Sequence, residues 1–273
     1  MPNYYAHLDF GRRVAERLPA LLRSAITREE ESFLAGCLGP DPLFFYRPLF
    51  PSPPRQAGID LHHHSFRAPA ERLLAAVEAR APFAVSYSAG FLCHFALDSA
   101  CHPLVAEQTA RGLAHSAVEN ELGRALMTAR GLDPLRDTPI PSFDLPEGFF
   151  AAAAVPDPRV TAGDFREALA SFRRVCLLQT RGAGTWAAAA MDRLGGRLPQ
   201  LSILRGSVLP ARPDPSCAPA VEALLHALEE AVLPTAGAIT EFFSAATARQ
   251  GGLDGWYDRD FYGQSVPSPA AVS

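Results

Sequence analysis

The segment Phe91–Glu119 constrains the fold of this chain more than any other stretch. It contains five side chains able to bind a metal, separated by gaps of 4, 4, 13 and 4 residues: His94, Asp98, His102, His115 and Glu119. Residues four apart on a helix lie one above the other on the same face. We therefore predict two helical stripes of polar groups, one with the first three of these residues and one with the last two.

Between these polar residues the segment consists largely of Ala, Leu, Phe and Val. The stripes should therefore face the interior of a helical bundle, where ionisable groups are costly unless they are paired or bind a metal. A single His–carboxylate pair at this spacing is more often structural. Two such pairs within 26 residues favour a metal site.

The composition agrees with a helical protein that has a sizeable core. Of the 273 residues 48% are hydrophobic and 20% are charged, and alanine and leucine are abundant. This composition favours helices over strands, so we predict an all-α, multi-helix bundle. The net charge of −4 provides no basic surface for duplex nucleic acid.

The N-terminal sequence and the cysteines suggest a cytoplasmic protein. The start MPNYYAHLDFGRR lacks the pattern of a signal peptide, and no apolar run approaches the roughly 20 residues of a transmembrane segment. Five cysteines without a CxxC pair are typical of reduced thiols. Cys93 and Cys101 could bind metal, but packing between helices is the better interpretation.

The order of helices is predicted from the spacing of apolar residues and from the capping residues and prolines between them. We expect an extended lead-in over residues 1–8, a helix over 9–24, and a capping box of Thr27 and Glu30 that opens the next helix. Pro103 should end the helix that contains His102.

The second half of the chain should begin with a long loop on the surface. We expect it over residues 131–160, followed by helices over 162–180, 182–195 and 217–249, the last one kinked or divided at Pro234. The predicted organisation is a metal-binding core (1–160), C-terminal helices packed on it (161–250) and a flexible tail (251–273).

Further candidate ligands lie upstream of the central segment. They are His7, Asp41 and one of the three residues His62–His64; of the eight histidines, only His226 lies beyond residue 119. Zinc binds imidazole nitrogen and carboxylate oxygen, and these residues suffice for two or three ions. Clustered ions assist phosphodiester cleavage by activating water, and a carboxylate can act as general base.

The joint pattern resembles a known family. It runs from an N-terminal His through Gly-Pro-Asp, Gly-x-x-x-His and His-x-x-x-Asp-x-x-x-His-Pro to His-x-x-x-Glu, across roughly residues 4–130. This order is similar to that of the zinc-dependent phospholipases C, related in fold to zinc-dependent single-strand nucleases. The start of the chain is most similar to an unsecreted bacterial branch.

The resemblance implies three zinc sites in a cleft. The first would use Asp41, His62, His94 and Asp98, and the second His102, His115 and Glu119. The third would use His7 and share Asp98 as a bridge. Asp41 would also be the general base. In secreted members the α-amine of the processed first residue completes the third site, a role that the amine of Pro2 could take here if Met1 were removed.

The sequence therefore predicts a zinc-dependent, phospholipase C-like hydrolase that cleaves phosphodiester bonds with metal-activated water. Its expected substrate is a small phosphodiester or a phospholipid head group. One alternative is a nuclease or nucleotidase that stacks bases on Phe44, Phe45, Tyr46 or Tyr87. Another is a metal-stabilised binding protein without turnover. A di-iron bundle fits less well, because such proteins use Glu-x-x-His.

Overall fold

A computed structural model describes residues 4–48, 50–197, 208–248 and 252–266. These residues form helices, with one isolated antiparallel bridge between Arg259 and Ser265. The α-helices in chain order are α1 (Tyr4–Arg17), α2 (Ala20–Arg28), α3 (Glu30–Cys37), α4 (Pro53–His63), α5 (Arg67–Glu78), α6 (Ala84–Ala110), α7 (His115–Ala129), α8 (Glu147–Ala153), α9 (Ala162–Gly182), α10 (Trp186–Arg197) and α11 (Ala218–Ala248). Short 3-10 helices span Asp41–Phe45, Pro215–Cys217 and Gly255–Asp258. The predicted all-α bundle is confirmed.

Helix α6 is the centre of the bundle. It packs against α1, α3, α5, α7 and α11, and it is buried on all sides over most of its length. A helix that is apolar around its whole circumference belongs in the interior of a domain. The polar residues of α6 therefore face protein rather than solvent.

Helices α3 and α6 approach each other closely. A Cβ atom at Gly90 would lie 2.1 Å from the carbonyl oxygen of Phe33, and one at Gly36 would lie 2.4 Å from that of Tyr87. Only glycine permits this backbone contact. The close packing places the segment after α3, which carries Asp41, beside the middle of α6.

The N-terminal helices differ from the sequence-based expectation. His7 lies within α1 rather than in an extended lead-in, because burial of Tyr5 and Leu8 stabilises the helix earlier than expected. The predicted helix 9–24 is divided at Pro19, which precedes α2. The prediction of a capping box formed by Thr27 and Glu30 was wrong, since the Thr27 hydroxyl donates to the Arg23 carbonyl inside α2.

Pro103 does not end α6, contrary to prediction. The helix continues to Ala110 and contains the proline. A proline at this position leaves the Ser99 carbonyl without its usual N–H donor. Gly263 packs directly on this carbonyl, so tertiary contact accommodates the interruption.

Residues 131–160, which we expected to form a long surface loop, contain a helix and several core residues. They include α8, whose Phe149 is fully buried, and Ile140 also lies in the core. The three later helices match α9, α10 and α11. Pro234 does not divide α11, which spans it as one helix.

The C-terminal segment is the largest departure from expectation. We expected a flexible tail from residue 251, but residues 252–266 pack on the bundle, with Phe261 fully buried. Arg67 anchors the segment through Asp258 and the carbonyls of Leu253 and Asp254. Residues 267–273 of the expected tail lie outside the described residues.

Candidate metal centre

Five elements converge on one buried polar site. They contribute every ligand that the sequence predicted: His7 from α1, Asp41 from the 3-10 helix, His62 from α4, His94, Asp98 and His102 from α6, and His115 and Glu119 from α7. All except His115 are buried.

Asp98 lies at the middle of the site. Its Oδ1 is 3.3 Å from Nε2 of His7 and 3.9 Å from Nε2 of His102. Its Oδ2 is 3.3 Å from Nε2 of His94 and 3.8 Å from Nε2 of His62. The two oxygens thus face different histidines, as a bridging carboxylate would.

Asp41 joins this group from the other side. Its Oδ1 lies 3.2 Å from Nε2 of His62 and 4.0 Å from Nε2 of His94. Two overlapping sets of possible ligands result, one of His62, His94 and Asp98 and one of His7, Asp41 and His94. The second set places His7 with Asp41 and His94, in addition to the predicted contact with Asp98.

A separate set consists of His102, His115 and Glu119. Oε1 of Glu119 lies 2.7 Å from Nε2 of His115 and 3.7 Å from Nε2 of His102. The His115 side chain is 39% exposed, so the site reaches the surface here. A cavity of about 20 Å³ lies beside His7, Asp98, His102 and Glu119, enough for one water-sized particle.

Backbone carbonyls orient three of the imidazoles. The Nδ1 atom of His62 lies 2.7 Å from the carbonyl oxygen of Gly58. The Nδ1 atom of His94 lies 3.1 Å from the carbonyl oxygen of Cys37, and that of His102 lies 2.8 Å from the carbonyl oxygen of Phe261. In the neutral tautomer that donates Nδ1–H to these oxygens, each Nε2 is unprotonated and faces the carboxylates. This is the arrangement expected of metal-binding histidines.

The site contains buried polar atoms without hydrogen bonds. They are Nε2 of His62 and His94, both ring nitrogens of His7, Oδ1 of Asp41 and Oδ2 of Asp98. Such atoms are rare in folded proteins because each costs free energy. Imidazole and carboxylate are also the donors that zinc prefers, so these residues fit a zinc centre.

The ionisation of the site depends on burial and on the mixture of charges. Burial and the neighbouring His94 lower the pKa of His7 to about 4. Burial alone would lower the pKa of His102, but Asp98 and Glu119 outweigh it and raise the pKa to about 9. Burial likewise opposes ionisation of Asp98, but the three surrounding histidines His102, His94 and His7 hold its pKa below the usual value.

Only glycine fits at position 39, two residues before Asp41. Its φ is +53°, a conformation that favours glycine, and a Cβ atom here would lie 2.4 Å from the His94 ring. The missing side chain gives the imidazole its space. Pro40 and Asp41 then enter the 3-10 helix that brings the carboxylate to His62.

The contribution of the C-terminal segment was not anticipated from the sequence. The Phe261 carbonyl accepts from His102, and the Phe261 N–H donates to the His62 carbonyl. Tyr262 stacks on His102 with 4.9 Å between ring centroids and on His63 with 5.1 Å. The only feature of the sequence that could have indicated this contribution is the aromatic pair Phe261 and Tyr262. Neither side chain binds metal, so the pair did not suggest a role at the site.

The remaining candidates lie outside the ligand sets of the described residues. His63 faces Tyr262, His64 is exposed, and His226 is exposed on α11 beside Glu230. All five cysteines are buried and free, and none belongs to a possible ligand set. Of the aromatic candidates for stacking, Phe45, Tyr46 and Tyr87 are core residues, while Phe44 packs on His62 at 4.9 Å.

Comparison with known families agrees with this geometry. The sequence model of the family described as zinc dependent phospholipase C matches residues 6–145, just over half of the chain. The chain belongs to this family. The match contains all eight candidate ligands of the zinc-dependent phospholipase C site and ends before α8.

Neither the curated proteins nor the solved structures include a significant match to this chain. Family membership and the three possible ligand sets support a zinc hydrolase. None of the helices in the described ranges is both long and apolar enough to span a bilayer. The suggested role of the Pro2 amine concerns residues outside those ranges.

Proposed function

We propose that this protein is a phospholipase C-like enzyme that hydrolyses phosphodiester bonds at a multi-zinc centre. The observation that carries the proposal is the convergence of eight imidazole and carboxylate side chains. Buried ring nitrogens or carboxylate oxygens of five of them, His7, Asp41, His62, His94 and Asp98, lack hydrogen-bond partners. The accessible substrates would be a small phosphodiester or a phospholipid head group, entering where His115 reaches the surface.

The ligand sets would hold two or three zinc ions. His62, His94, Asp98 and Asp41 would bind one, His102, His115 and Glu119 another, and His7 with Asp98 a third. Bound zinc would supply Lewis acidity, which would favour ionisation of water and neutralise charge on the phosphoryl group.

The chain itself would supply the base. Asp41 is the proposed acceptor of a proton from the attacking water, because its Oδ1 lies in the ligand cluster beside His62 and has no hydrogen-bond partner. With zinc bound, the imidazoles would act as neutral ligands, and backbone carbonyls hold three of them in a fixed orientation. Asp98 would remain ionised, in agreement with its lowered pKa.

A substrate screen on zinc-loaded protein tests the proposal. We expect hydrolysis of phosphatidylcholine or of bis-p-nitrophenyl phosphate, abolished by a chelator and restored by zinc. Cleavage of single-stranded DNA in preference to both would support the nuclease alternative. Absence of turnover on all three with zinc bound would support a metal-stabilised binding protein.

Replacing the proposed base separates chemistry from metal binding. Asp41→Asn should retain most of the zinc, because the remaining ligands are unchanged, and should reduce hydrolysis by about 100-fold or more. Zinc content and turnover would be measured on the same preparation. Asp214→Asn, an exposed carboxylate far along the chain, is the matched control and should behave as the wild type. Unchanged turnover in Asp41→Asn would exclude Asp41 as the base.

A further inference from the structure

The exposed faces of the contacting helices α9 and α10 combine arginines with large apolar side chains. On α9 the exposed face consists of Arg174, Leu178 and Arg181, spaced so that they share one face of the helix, and all three are exposed. Leu178 is 62% exposed. This face therefore combines positive charge with exposed apolar surface.

Helix α10 repeats the same combination. Trp186, Ala190, Arg193 and Arg197 recur at the spacing of one helical face, and all are exposed. Trp186 is 83% exposed, and Leu194 beside this face is 45% exposed. These two helices thus carry three of the six exposed large hydrophobic residues found among the described parts of the chain.

The charge of this surface contrasts with the rest of the protein. Residues 171–197 contain five arginines and one acidic residue, whereas the chain as a whole has a net charge of −4. Arg174 donates to the Ala170 carbonyl and the Ser171 hydroxyl, which are neutral acceptors. Within the part of the chain that the structure describes, neither Arg174 nor Arg181 forms an ion pair with a carboxylate.

The surface also lies on an element connected to the metal centre. Helix α9 packs on the 3-10 helix that contains Asp41, with Phe172 of α9 edge-to-face on Phe45 at 5.3 Å. The α9 part of the surface therefore lies on a helix that packs directly on the element of the proposed base.

We propose that the exposed faces of α9 and α10 bind the surface of an anionic phospholipid bilayer. Basic side chains interact with anionic head groups, while Trp and Leu enter the interfacial region. A nucleic acid would match the arginines but would leave Leu178 and Leu194 without an apolar environment. The proposal rests on the proposed function in one respect, since a phospholipid-cleaving enzyme must act at such a surface.

Vesicle binding tests this inference without reference to turnover. Zinc-loaded protein would be mixed with vesicles of phosphatidylcholine, with or without phosphatidylglycerol, and both bound protein and tryptophan emission would be measured. We expect binding to the anionic vesicles, weakened by salt, with a shift of emission to shorter wavelength. The shift should disappear in Trp186→Phe, which leaves only Trp256, a half-buried residue packed on Phe95.

Paired variants test the two components of the surface. Arg174→Glu with Arg181→Glu should weaken binding to anionic vesicles at least about 25-fold, because each arginine contributes roughly fivefold. Arg111→Glu with Arg136→Glu, at exposed sites elsewhere, is the matched control. Leu178→Ser should also weaken binding, whereas Leu233→Ser, at a site of similar exposure on α11, should not. Circular dichroism would verify that each variant is folded.

Three results would overturn the inference. They are equal binding to neutral and anionic vesicles, unchanged binding by the Arg174/Arg181 variant, and an emission shift on concentrating the protein without lipid, which would assign the surface to a second copy. Head-group release from the same vesicles is measured separately. Binding without release would leave this inference intact and contradict the proposed phospholipase activity.

Discussion

At the scale of single residues, the site depends on small details beside the ligands. Gly39 has no side chain to displace His94, and three carbonyl oxygens select the orientation of His62, His94 and His102. None of these groups would bind metal. Each of them determines where a metal-binding atom lies, which is why such neighbours matter nearly as much as the ligands.

Gly39→Ala should disrupt the centre. Alanine at a positive φ costs about 1–2 kcal/mol, and overlap with the His94 ring adds about 1–3 kcal/mol. We expect lower zinc content and a lower free energy of unfolding. Gly131→Ala is the control, since its φ is +75° but no atom lies within 4 Å of the added Cβ. It should show the conformational cost alone and keep its zinc.

Glu119→Ala should lose the ion held by His102 and His115. Removing one partner from a buried charged set typically costs about 3–5 kcal/mol. Zinc content per chain and thermal unfolding would be measured. The control His226→Ala removes an exposed histidine at the same spacing from a glutamate, with Nε2 3.3 Å from Oε1 of Glu230. Retention of all zinc in Glu119→Ala would exclude Glu119 as a ligand.

At the scale of elements, the site depends on the continuation of α6 through Pro103 and on the packing of the C-terminal segment 252–266 against the bundle. Helix α6 continues through Pro103, so His102 lies in the same rigid helix as Asp98 and His94. Residues 252–266 then pack across this helix and reach His62 and His102 through the backbone of Phe261. The C-terminal segment therefore contributes to the candidate metal centre.

Gly263→Ala tests the role of the C-terminal segment. Its φ is +72°, and a Cβ atom would lie 2.5 Å from the Ser99 carbonyl oxygen, so alanine should push the segment away from α6. We expect weaker zinc binding at His102 and reduced stability, measured by zinc titration and thermal unfolding. In the same segment, Gly255→Ala meets no atom within 4 Å and should be neutral. Equal zinc affinity in both variants would contradict a positioning role.

At the scale of the whole molecule, the bundle encloses a set of ionisable groups that a metal would stabilise. Helices from both ends of the chain, α1 and α11, pack on α6 around this set. Because the ligands come from five elements, metal binding and folding should be coupled.

Chelation of zinc should therefore lower the melting temperature. Zinc at about 1,000 times its dissociation constant would stabilise the fold by about 4 kcal/mol. For a protein of this size, this corresponds to a decrease of roughly 8–16 °C on chelation, measured by differential scanning fluorimetry with and without added zinc. The shift should be absent in Glu119→Ala combined with His94→Ala, which serves as the control. An identical melting temperature with and without chelator would contradict the coupling.

The sequence alone determined the class of fold and the set of ligand types. His94, Asp98, His115 and Glu119 are local pairs at helical spacing, so their stripes follow from the geometry of a single helix. The order of motifs then brought His7, Asp41 and His62 into the same prediction and indicated the family, which the family match confirmed. The assignment of each residue to a particular ion remains a prediction.

Only the tertiary structure decided how these residues meet and what surrounds them. Pro103 favours a helix end locally, but packing of Gly263 against Ser99 outweighs that preference. Likewise, a segment rich in Gly and Asp has little intrinsic preference for order, yet burial of Phe261 and the Arg67 contacts hold residues 252–266 on the candidate metal site. Both outcomes depend on contacts between residues more than 150 positions apart, which no local pattern in the sequence encodes.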